Sequence, residues 1–213
     1  MFEPWPQNKY LRHLEGRAHA LRKRANLTPL QSLEPSDVAQ TLPNVILAEL
    51  RTLVALSSEG DLGVLERESE TWSAIALRID SGPWLVTWNP WHAPTRTRVS
   101  VMEEIAHIVL DHKPTSLTPH PATGLPVRAY APSKEKEAYG VAAAAVLPYA
   151  GLVQLLRQGK SEAEVAAHYG VSGQLVTMRT NLTKARVAAG VAPLLAKRPP
   201  GSSQRGGAQG RGA

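Results

Sequence analysis

The chain has 213 residues, enough to bury a core, and no cysteine, which excludes disulfides and thiolate metal sites and suits a reducing, cytoplasmic setting. The net charge of +6 points to nucleic acid only until it is located: Lys197, Arg198, Arg205 and Arg211 supply four of those charges from a Gly- and Ser-rich tail, leaving the body mildly basic. Pro4, Pro6 and charged residues stand where a secretory signal would place an apolar segment.

Tyr10, Leu11, Leu14, Ala18 and Leu21 recur at helix spacing, which predicts a helix over residues 8–26, with Arg12, Arg17, Arg22, Lys23 and Arg24 on its solvated side. A short helix should start at Pro35-Ser36-Asp37, where early acidic charge suits a helix N-terminus. Residues 45–56 read two ways. Val45-Ile46-Leu47 favours a strand, while Leu47, Leu50, Leu53 and Val54 fit a helix; we assign a strand over 45–49. Ser81-Gly82 joins strands near 73–79 and 83–88 into a hairpin, so a small antiparallel sheet is expected. Trp84, Trp88 and Trp91 read as core and rim packing.

The segment Val101-Met102-Glu103-Glu104-Ile105-Ala106-His107 follows, with Asp111 and His112 just beyond it. It is one letter away from H-E-x-x-H, the helical pattern that sets two imidazoles one turn apart around Zn²⁺ and adds a carboxylate to take a proton from water. Glu103 stands where the first histidine would be. On a helical wheel Glu103, Glu104, His107 and Asp111 share an arc of roughly 100°, and the apolar residues and His112 lie on other sides. Carboxylate oxygen also ligates zinc, and the added charge makes Mn²⁺ or Fe²⁺ acceptable as well. Alone, this pattern also fits a solvated helix face.

A Pro- and Thr-rich loop with His120 and Gly124 comes next, then Arg128 and Tyr130, which are candidates for stabilising an oxyanion or for plain surface contacts. Ala138 to Leu156 lacks charge and has the length of a membrane span, but Gly140, Pro148, Gly151 and Gln154 interrupt it; it reads as a buried helix, a break at Pro148 and the start of another helix, with no membrane partner. Ser161-Glu162-Ala163-Glu164 forms a capping box. With the Gly170 turn and Ser172, it has helix-turn-helix spacing, and Gln174, Thr177, Arg179 and Asn181 are candidate DNA or partner contacts.

The order of these segments carries a resemblance. Trp72-Ser73-Ala74, the strand ending at Asn89-Pro90, Arg96-Thr97-Arg98, the E-E-x-x-H helix, and Glu135-Lys136-Glu137-Ala138-Tyr139 running on to Leu147-Pro148 together resemble the ImmA/IrrE metallo-endopeptidases, which cut helix-turn-helix repressors. The resemblance implies an α+β, mainly helical zincin-like peptidase domain with a small antiparallel sheet, over residues 1–150. A helix-turn-helix segment over 151–195 and a disordered basic tail over 196–213 would follow. It implies Glu103, His107 and Glu135 as metal ligands, Glu137 as the alternative ligand, and Glu104 as general base. The implied partner is a repressor, cleaved or bound to derepress genes, with DNA as second choice. The alternative is a non-hydrolytic module of the same scaffold that binds a repressor or DNA.

Overall fold

The computed structural model describes residues 4–55, 72–78, 82–119 and 126–191; the basic tail, His120, Gly124 and the turn residue Ser81 lie outside the described residues. Helix α1 (Lys9–Arg24) starts where Asn8 accepts the Leu11 N–H at 3.1 Å, and it buries Leu11, Leu14, Ala18 and Leu21 of the stripe the spacing predicts, whereas Tyr10 at its edge is exposed. Arg12, Arg17, Lys23 and Arg24 are exposed. Arg22 is not on that solvated face: it is buried and donates to the Ala145 carbonyl at 2.7 Å and to the carbonyls of Thr28 and Gln31. Ala145 lies in the last turn of its helix, where carbonyls lack intrahelical partners and accept from elsewhere.

Helix α2 (Pro35–Ala39) is opened by Asp37, which accepts the Glu34 N–H at 2.9 Å. Both readings of residues 45–56 hold for successive pieces: strand β1 (Val45–Glu49) passes directly into helix α3 (Leu50–Ala55). Strands β2 (Ala74–Arg78) and β3 (Trp84–Trp88) pair antiparallel as expected, Ala76 opposite Val86. The sheet is mixed, however, because β1 lies parallel to β3 on its other side, in the order β1-β3-β2. Parallel neighbours need a long crossover, and no local pattern shows where such a connection returns.

Helix α4 (Pro94–Val109) starts one turn earlier than the sequence implied, with Pro94 at its first position, so Thr95 to Arg98 belong to it. The segment read as a loop after it contains a two-stranded antiparallel ladder, β4 (Ser116–Pro119) against β5 (Pro126–Ala129). Helix α5 (Pro132–Val146) and helix α6 (Tyr149–Arg157) are bent by 44° at Leu147-Pro148. Among the described residues, no single helix is long and apolar enough to cross a membrane.

Helix α4 packs against α5, with the sheet on another side of α4 and α1 against α5. On α5, Ala138, Ala142, Ala143, Ala144 and Ala145 are all buried, and side chains this small let neighbouring backbones come close. The remaining helices, α7 (Glu162–Tyr169), α8 (Gly173–Thr183) and α9 (Ala185–Ala189), join the same apolar cluster through Val165, Tyr169, Leu175, Val176 and Ala185. Ser161 and Glu164 cap α7 reciprocally, Gly170 turns the chain at φ +61°, and Ser172 accepts the Leu175 N–H at 3.1 Å to open α8. That turn is fastened to the body: Arg98 of α4 donates to the Tyr169 and Gly170 carbonyls and pairs with Glu34.

Gly151 marks the tightest contact between α6 and the body. A Cβ there would lie 2.0 Å from the Tyr169 hydroxyl and 2.4 Å from the Pro29 carbonyl oxygen, which are themselves hydrogen-bonded at 2.8 Å. Gly151→Ala is expected to destabilise the fold by about 1–3 kcal/mol. Gly16→Ala, with nothing within 4 Å of the new carbon, should leave stability equal or higher. Urea unfolding compares the two, and equal midpoints would contradict the packing described.

Candidate metal centre

Helix α4 presents Glu103, Glu104 and His107, and the first turn of α5 presents Glu135. Ligand atoms of Glu103, His107 and Glu135 all lie within 4.8 Å of one another, and His107 Nε2 is 3.3 Å from a Glu135 oxygen. The two helices thus bring together the three side chains that the sequence offers as ligands. Glu104 turns toward the sheet, where one oxygen accepts the Ala76 N–H of β2 at 3.1 Å. Glu137, the alternative ligand, is not in the cluster: its carboxylate faces His112 at 3.3 Å, Lys134 at 3.3 Å and His13 at 3.4 Å.

The β4–β5 ladder returns the chain so that Arg128 and Tyr130 reach the site. They line a cavity of about 50 Å³ together with Glu104, His107 and Glu135, room for one or two water molecules. The Tyr130 ring stacks on His107 at 3.8 Å between centroids, and the Arg128 guanidinium lies 3.9 Å over the Trp84 ring. A larger groove of about 640 Å³, flanked by Tyr10, Tyr139 and Leu182, lies elsewhere, and among the described residues it holds no ligating cluster.

Two residues behave differently from the helical wheel. Asp111 leaves the chelating arc because α4 ends at Val109; Asp111 sits at φ +50° in the left-handed region, exposed, and pairs with Lys113 at 2.6 Å. His112, which the wheel places on another side, is buried against His107: their Nδ1 atoms are 3.1 Å apart and the rings meet edge to face. The backbone makes this contact. The His112 N–H donates to the His107 carbonyl at 3.0 Å and the Asp111 N–H to the Ile108 carbonyl at 3.1 Å, which is a Schellman cap with Asp111 as its left-handed residue. Such a cap sets the second residue past the helix end over the residue five positions earlier, a signal readable only once the helix end is fixed.

Burial sets the protonation of the site. It raises Glu103 to about 7, helped by the charge of Glu135, and raises Glu104 to about 8, helped by Glu103 and opposed by the Ala76 N–H and Arg128. Burial also raises Glu135 and, with His112 and Arg128, lowers His107 to about 4, leaving a neutral imidazole. One imidazole nitrogen and crowded carboxylates that resist ionising together form a donor set suited to a divalent cation, whose charge would relieve that repulsion. The residues fit Zn²⁺, Mn²⁺ or Fe²⁺.

A buried carboxyl with a raised pKa keeps its proton while the unfolded chain releases one, so metal-free stability is full below the ordinary value of 4.5 and falls as pH rises toward 8. Thermal unfolding of chelator-treated protein is expected to give a lower midpoint at about pH 8 than at about pH 5, with Glu104→Gln narrowing the gap. A midpoint unaffected by pH, or the same gap in the variant, would contradict this.

The candidate contacts on α8 separate. Arg179 is 2 % exposed; it pairs with buried Glu15 of α1 and donates to the Leu147 carbonyl at 3.0 Å, so it braces the interior instead of facing a partner. Thr177 is exposed but donates to Glu162 at 2.6 Å, while Gln174 and Asn181 are exposed. Basic chemistry for reading bases is therefore removed from this surface of the helix.

A search of curated proteins and a search of solved structures find no match to the chain. The family model of the IrrE N-terminal-like peptidase domain matches residues 61–181, more than half of the chain, and that stretch carries all of Glu103, Glu104, His107, Arg128, Tyr130 and Glu135. On that match, and with the donor cluster it encloses, the chain belongs to the IrrE N-terminal-like peptidase family.

Proposed function

We propose that the protein is a metal-dependent endopeptidase in which Glu103, His107 and Glu135 hold a divalent cation, Zn²⁺ first and Mn²⁺ or Fe²⁺ as alternatives. The observation that carries this reading is the meeting of three donors from two helices beside a third, half-buried carboxyl, that of Glu104. A bound cation supplies Lewis acidity to water and to a peptide carbonyl. Glu104, which the charge of a bound cation would bring to its ionised form, would take the proton of the attacking water on the carboxylate oxygen not bonded to Ala76 and pass it to the leaving amine. Arg128 and Tyr130, on the cavity wall, donate to the oxyanion as it develops.

Among the described residues, strand β2 is the sheet edge beside this cavity. Ala76 turns its N–H away from β3, and in an antiparallel pair the backbone groups of Ala74 face the same way. An extended substrate segment adds there as a further strand, which lays its backbone across the cavity. The substrate we assign is an exposed segment of a DNA-binding repressor whose cleavage derepresses genes, acting in the cytoplasm. The rival reading keeps the scaffold for binding alone, and the use of carboxylate in place of the first imidazole favours it by weakening the cation's pull on a water proton.

The test combines metal analysis of the purified protein with digestion of a purified helix-turn-helix repressor. Glu104→Gln is expected to retain metal and lose cleavage by about 10²–10⁴-fold. Glu135→Gln should lose both. Metal bound without cleavage in the parent protein would favour the binding module, and no metal in the parent would overturn the reading.

A further inference from the structure

We infer that His112 and Glu137 are positioning residues that fix which nitrogen of His107 is free to ligate, through a two-imidazole relay ending on a carboxylate. This deepens the proposed metal centre and rests on that reading for its purpose, though not for its geometry. Glu137 Oε2 lies 3.3 Å from His112 Nε2, and His112 Nδ1 lies 3.1 Å from His107 Nδ1. A carboxylate only accepts, so the His112 proton sits on Nε2. A neutral imidazole carries one N–H, so His112 Nδ1 is then an acceptor, and His107 must hold its proton on Nδ1. The remaining nitrogen, His107 Nε2, keeps its lone pair: it lies 3.3 Å from a Glu135 oxygen, while the hydrogen bond of the ring is the one at Nδ1.

The arrangement is directional. Free histidine side chains favour the proton on Nε2, which in His107 would block the ligating position. Turning the His112 ring over would place carbon against both the Glu137 carboxylate and His107 Nδ1, so the two contacts hold the ring in one orientation. The Schellman cap supplies the backbone half of the device, because the His112 N–H to His107 carbonyl bond at 3.0 Å brings the two rings together edge to face. Tyr130, stacked on the face of the His107 ring at 3.8 Å, adds a second contact that holds its plane. A hydrogen-bonded partner behind a ligating imidazole orients it and raises its basicity. Here the partner is a second imidazole, with its own carboxylate on the next helix.

The experiment is long-range ¹H–¹⁵N correlation of the histidine rings in chelator-treated parent protein, Glu137→Gln and His112→Phe, followed by Zn²⁺ titration of each. In the parent, His107 is expected as the Nδ1–H form and His112 as the Nε2–H form. Glu137→Gln, which keeps the size of the side chain and removes its charge, should mix the His107 tautomers and weaken Zn²⁺ binding by about 10–100-fold. His112→Phe keeps a ring in place and should convert His107 to the Nε2–H form. His107 found as Nε2–H in the parent, or unchanged in both variants, would overturn the inference. A parent that shows the expected tautomers but binds no Zn²⁺ would support the relay while sinking the metal centre.

Discussion

The close packing of α4 on α5 is the constraint from which the site follows. Neither helix alone holds a ligand set: α4 offers Glu103 and His107, and the third donor stands at the start of α5. The alanines of α5, buried from Ala138 to Ala145, let the helices approach until donor atoms on both lie within 4.8 Å of each other. Pro132 starts α5 and the Leu147-Pro148 break ends it, so the position of Glu135 along that contact is set at both ends.

Electrostatics works against this packing in the absence of a cation. Three carboxyl groups, one of them bonded to a strand N–H, crowd around a neutral imidazole, and burial raises the pKa of each acid. The site is therefore a place where local consistency is given up, as sites of chemistry commonly are. The stability of the body comes from elsewhere: the continuous apolar cluster through α1, α4, α5 and α6, the buried Glu15–Arg179 pair, and Arg22 and Arg98 bonded to carbonyls. The α7–α8 pair is part of that body, since its turn is held by Arg98 and its arginine points inward.

Much of this was legible in the residues because it is local. Ser161 and Ser172 announced helix starts, Gly170 a turn, and the stripe of Leu11, Leu14, Ala18 and Leu21 a buried face. The spacing of Glu103, Glu104 and His107 placed three groups on one face, and the family resemblance supplied Glu135. What escaped was non-local or lay at an element's end. The parallel pairing of β1 with β3 depends on a crossover, and the burial of Arg22 and Arg179 depends on carbonyls far away in sequence. The wheel carried Asp111 onto the metal face and His112 off it because it continued a helix that a left-handed residue had already ended. Arg128 and Tyr130, ambiguous in a loop, acquired a place only through the β4–β5 ladder.

The most direct test of the convergence of Glu103, His107 and Glu135 is an anomalous difference map from crystals grown with Zn²⁺ or Mn²⁺. The expected result is one strong peak within coordination distance, about 2.0–2.2 Å, of His107 Nε2 and of an oxygen from each of Glu103 and Glu135, with Glu104 outside that distance. A peak held instead by Glu137 and His112, or none between the two helices, would contradict it.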